Sequence, residues 1–131
     1  MAGPLNLNYD AAEFNITRDM QFDRVGITTS TLYYAQFYAR ARMYVTNVII
    51  GIRSIASLAA LTAIAGHRVS ANAAFSAVAG STVAWISATS VGSYQTMVLN
   101  RTFNLGEYLG LVFTDAKGKV HVMYEYQILP A

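Results

Sequence analysis

TSTLYYAQFYARARMYVTNVIIGIRSIASLAALTAIA, residues 29–65, is the stretch on which the fold turns. Its apolar residues include Tyr33, Tyr34, Phe37, Tyr38, Met43, Tyr44, Val48, Ile49, Ile52, Ile55, Leu58 and Leu61. Wound at about 100° per residue, they surround most of a helix and leave Arg42, Thr46, Arg53 and Ser57 on one narrow polar stripe. Thr28, Thr29 and Ser30 offer N-cap hydroxyls, and Gly66 offers a stop. The expectation is a helix over 29–65, apolar nearly all round and therefore buried in something.

Gly66-His67-Arg68 is a short link, so a second helix over about 70–99 is expected to return antiparallel. Ser76, Gly80, Ala84, Ala88 and Gly92 recur at i+4 and form a small-residue ridge suited to close helix packing. Ala56/Ala60 and Ala59/Ala63 supply a matching surface on the first helix. After Asn100 the period changes to two. Residues 108–114 and 119–128 read as strands flanking the turn Asp115-Ala116-Lys117-Gly118, which predicts a β-hairpin. Val120, Val122, Tyr124, Tyr126 and Ile128 share one face of it. Residues 1–28 read as an extended arm. The whole is expected to be mainly α: an arm (1–28), an apolar helical hairpin (29–100) and a β-hairpin (101–131) in one structural domain.

Charge is segregated along this layout. Between Asp23 and Glu107 there is no acid, and residues 69–100 carry no charge of either sign. Only 12% of the 131 residues are charged, against about 25% in an ordinary soluble domain. Hydrophobic residues make up 54%, and the mean hydropathy is +0.34. So apolar a chain needs cover from lipid, from copies of itself or from a polyanion facing its arginines. Arg42 and Arg53 on one stripe, with Arg68 at the hairpin tip, are the candidates to face that polyanion, either phospholipid or nucleic acid. The planar guanidinium fork binds two phosphate oxygens at once.

Several chemistries are excluded or disfavoured. There is no cysteine, hence no disulfide and no thiolate metal site. His67 and His121 lack supporting ligands at metal-site spacing, and no phosphate-cradling glycine loop or nucleophile–base–acid frame is present. The first 20 residues show no secretory signal. Asn15-Ile16-Thr17 and Asn100-Arg101-Thr102 match the glycosylation pattern, a short motif that arises often by chance. No enzyme, cofactor or small-molecule substrate is expected.

In layout, residues 29–100 are similar to conjugative-type pilins, in which two apolar helices and a cationic loop line a tube. They resemble more loosely the helical coat proteins of filamentous archaeal viruses. The resemblance implies a structural subunit that polymerises with copies of itself into an extracellular filament or a virion. The alternative is a small two-span membrane subunit, at odds with Arg53 in mid-span, which costs about 2.5–3.5 kcal/mol.

Overall fold

Each regular element among the described residues is a β-strand. The structure is a computed structural model and describes residues 16–55, 61–85, 92–114 and 118–130. The strands are β1 (Arg18–Ile27), β2 (Tyr33–Tyr38), β3 (Met43–Ile55), β4 (Leu61–Arg68), β5 (Ser76–Ala77), β6 (Val83–Trp85), β7 (Tyr94–Phe103), β8 (Tyr108–Thr114) and β9 (Gly118–Ile128). One antiparallel sheet has the order β1-β9-β3-β7, and the other β2-β8-β4-β5, with β6 also on β4.

The pairing is nested: β1 lies on β9, β2 on β8, β3 on β7, and β4 on β5 and β6. A chain doubled into one long antiparallel ribbon and then wrapped produces this order, with β5 and β6 counted as one interrupted strand. It is the double Greek key of a jelly roll. Between the sheets lies an apolar core that includes Val45, Val48, Ile50, Leu109, Leu111, Phe113, Val122 and Tyr124.

The mainly α expectation is overturned, and with it the helical hairpin over 29–100 and the likeness in layout to pilins and helical coats. A bulge explains the misreading of β3. Val45 opposes Tyr126 while Asn47 opposes Glu125, so Thr46 is an extra residue in β3. The buried positions therefore run Met43, Val45, then Val48, Ile50, Ile52, and a period of two changes phase part-way. Outward-facing Tyr44 and Ile49 fill the gaps, and the sum imitates a helix apolar all round. Thr46 Oγ1 donates to the Glu125 carbonyl at 3.1 Å, which seals the bulge.

The small-residue ridge falls with the helix. Ser76 is in β5, Ala84 is in β6, and Ala88 lies outside the described residues. Gly80 (φ 75°) and Gly92 (φ 93°) occupy left-handed turns, where glycine is favoured for lack of a Cβ. Gly80 belongs to the detour that separates β5 from β6. Ser81 mends the ladder there: its buried hydroxyl accepts the Ala65 N–H at 3.1 Å and donates to the Val78 carbonyl at 2.6 Å. The Val78 N–H donates to the Ala65 carbonyl at 2.8 Å.

At the C-terminus the two expected strands stand, with Val120, Val122 and Tyr124 inward. The expected hairpin does not. β8 pairs with β2 and β4, β9 pairs with β1 and β3, and the connection crosses from one sheet to the other. Tyr124 then ties the sheets together, donating to the carbonyl of Ala35 at 2.7 Å from full burial. Burial pushes its phenol pKa far up. In the N-terminal arm, residues 18–27 are β1, an edge strand, and residues 1–15 lie outside the described set. Among the described residues no helix is long and apolar enough to cross a membrane, which removes the two-helix span.

Candidate functional site

Two bulges face each other across β9. In β1, Phe22 opposes Val122 and Val25 opposes Val120, so Asp23 and Arg24 together face His121. In β3, Ile52 opposes Val120 and Ser54 opposes Lys119, which leaves Arg53 as an extra residue. A bulge turns two consecutive side chains toward one face. The outer face of this sheet accordingly gathers Arg24, Arg53, Ser54 and Lys119 around a cleft of about 340 Å³.

Asp23 anchors Arg53, one of the residues lining the cleft. Its Oδ1 accepts from Arg53 Nε at 3.0 Å and lies 3.1 Å from His121 Nδ1. An ionised carboxylate only accepts, so Nδ1 carries a proton. The His121 hydrogen bond, followed by the hydrogen bond and charge of Arg53, holds the Asp23 carboxyl below its ordinary pKa. Tyr94 lies edge-on to His121, with ring centroids 6.3 Å apart. That ring crosses Gly51, where a Cβ would collide with it. Arg24 adopts φ 55°, a left-handed conformation that costs an L-residue about 1–2 kcal/mol. Among the described residues the side chains of Arg24 and Lys119 have no ionic or hydrogen-bond partner.

The opposite end of the sandwich carries a mostly apolar cleft. There β2 ends and β3 begins, and a cleft of about 500 Å³ opens among Met20, Phe37, Tyr38, Arg40, Met43, Tyr126 and Ile128. Leu105 (67% exposed) and Val69 (65%) project from the β7–β8 and β4–β5 connections at the same end. The 39–42 and 104–107 connections are tied by hydrogen bonds from Ala39 N–H to the Glu107 carbonyl and from Gly106 N–H to the Ala39 carbonyl.

The three arginines expected to share a polyanion do not converge. Arg42 precedes β3 and donates a long 3.4 Å bond to the Pro130 carbonyl. Arg53 stands near the other end of the same strand, roughly 35 Å away at about 3.3 Å per residue. Arg68 is in the other sheet, its guanidinium over the rings of Phe75 (4.7 Å) and Tyr108 (4.4 Å), and it donates to Gln36 Oε1. Only Arg53 belongs to the cationic cleft. Arg24 and Lys119 were missed because their sequence neighbours give no sign of a bulge. The nearest signal was the acid Asp23 beside a base.

Of the histidines, His67 Nε2 accepts from Arg101 Nη2 at 3.1 Å, since a guanidinium only donates. Its Nδ1 is buried without a hydrogen-bond partner. Among the described residues no three potential metal ligands gather.

No protein-family model matches the chain, and no curated protein matches it. Solved structures do. Drosophila NLP-core, reported for pentamer formation and histone binding, shares 4% identity over 86% of this chain and 98% of its own, at a TM-score of 0.43. Eiger TNF from S. frugiperda shares 6% over 87% and 85%, at 0.42. The protein of the T13 IBDV viral particle shares 13%, with 88% of this chain on 36% of its own, at 0.36. Overlap this loose supports no functional argument, and the jelly-roll assignment rests on strand order.

Proposed function

We propose that this chain is a structural subunit that assembles with copies of itself into a ring or closed shell of the virion-coat kind. The observation that carries the reading is the uncovered apolar end. Val69 and Leu105 stand exposed on connections at this end, and Tyr38 stands exposed on a cleft whose apolar lining includes Met20, Phe37, Met43, Tyr126 and Ile128 beside Gln36 and Arg40. Large apolar side chains left exposed together at one end mark an interaction site rather than a solvent face. Each Leu or Val buried at such a contact contributes about 1.5–3 kcal/mol. The chain's low charge content works in the same direction, since little of its sequence is available to keep a lone subunit apart from its copies. No catalytic role is part of this reading.

Sedimentation velocity and negative-stain microscopy test it. The expected outcome is a discrete multimer of the 14.3 kDa chain. Leu105→Glu with Val69→Glu should disperse it to folded monomer, because both side chains project outward and leave the core intact. A wild-type protein that stays monomeric at high concentration would overturn the proposal.

A further inference from the structure

The cationic cleft shares no lining residue with the apolar cleft. We infer that it is a binding site for a phosphate group, held by Arg24, Arg53 and Lys119 with Ser54 as hydroxyl donor. Three features of the fold support this. Two bulges on either side of β9 bring four donor side chains to one cleft that ordinary alternation would spread over two faces. Arg24 is kept in a left-handed conformation with no partner for its side chain among the described residues, and strain of that kind collects at functional positions. Asp23 accepts from Arg53 Nε and is itself held by His121, which fixes one guanidinium in place before any ligand arrives.

Charge and shape select the ligand. Three cations against one carboxylate leave the cleft net positive. Two planar forks and one ammonium match a tetrahedral oxyanion with several oxygens to share. About 340 Å³ admits a phosphate with its remaining waters. No Cβ stands on Gly26, which has open space around it two residues beyond Arg24.

The test is calorimetric titration of the full chain with inorganic phosphate in a buffer free of other oxyanions. Saturable binding at one site per chain is expected, weakening as salt is raised. Arg24→Gly and Lys119→Ala should each weaken it about tenfold, the effect of one charge-assisted hydrogen bond. Arg42→Ala, at the other end of β3, should leave it unchanged. Arg24→Gly is the decisive variant because glycine suits the left-handed backbone, so its melting temperature should not fall while binding does. A parallel titration with oligothymidylate identifies the source of the phosphate. Tighter binding than inorganic phosphate, lost in the same variants, means a nucleic-acid strand; oligothymidylate that fails to displace phosphate means a free anion. Absence of saturable binding up to about 50 mM phosphate, or variants that bind like wild type, would overturn the site.

Discussion

The outer faces of the two sheets both carry arginine and treat it in opposite ways. On the β2-β8-β4 face, Gly66 and Gly110 are paired across β4 and β8 and leave a trough. Tyr33 lies over it, stacked on Phe75 at 4.2 Å. Arg68 continues the stack between Phe75 and Tyr108, and Tyr108 meets Tyr38 at 4.9 Å. That arginine is closed off, its charge shared with two rings and Gln36. On the β1-β9-β3 face the ring of Tyr94 covers Gly51 beside His121, while Arg24 and Lys119 line an open cleft. A cation flanked by rings serves packing, whereas a cation raised on a bulge without partners is available to a ligand.

The closed face is the easier of the two to break. Gly66→Ala would set a Cβ against the Tyr33 ring and displace it from Phe75, for an expected loss of about 1–3 kcal/mol in denaturant unfolding. Loss of stability without loss of phosphate binding would show that the two faces are independent. Arg68→Lys keeps the charge but not the planar group, and should destabilise by about 1 kcal/mol through weaker stacking on Phe75 and Tyr108. If Arg68→Lys were neutral, the contrast between the faces would lose its basis.

The smallest effect belongs to the open face. Asp23 has a lowered pKa when folded, so its contribution is complete above its unfolded value near 3.8 and fades as pH falls through the folded value. Asp23→Asn should therefore flatten the stability profile below about pH 4 and leave variant and wild type equal once both carboxyl states are neutral. Urea midpoints across pH 2–6 would read this, and an unaltered acid limb would argue against the Asp23–His121–Arg53 cluster.

Parts of this arrangement were legible along the chain. The alternation of Val120, Val122 and Tyr124 with His121 and Met123 revealed β9, because no bulge lies between them and one face is buried. β3 hid its period. Thr46 is a single extra residue in β3, and a slip of one moves every later side chain to the opposite face. Leu99 and Asn100 (φ 47°) instead add two residues to β7 at the same rung and keep Met97, Leu99, Arg101 and Phe103 on one side. β5 and β6 are two short pairings separated by the Gly80–Ser81 detour, too brief to show any period. The cationic cleft was half visible: Arg53 stood out in its acid-free context, while Arg24 and Lys119 did not.

The sequence by itself determined that this chain is sparsely charged and rich in apolar residues, and that β9 has a buried face. These depend on residue types and nearest neighbours alone. Tertiary structure decided which sheet each strand joins, which arginines are covered and which stand open. Those outcomes depend on bulges and cross-strand pairs such as Arg53 with Asp23, or Gly66 with Gly110, whose members are tens of residues apart and come together only when the ribbon is wrapped.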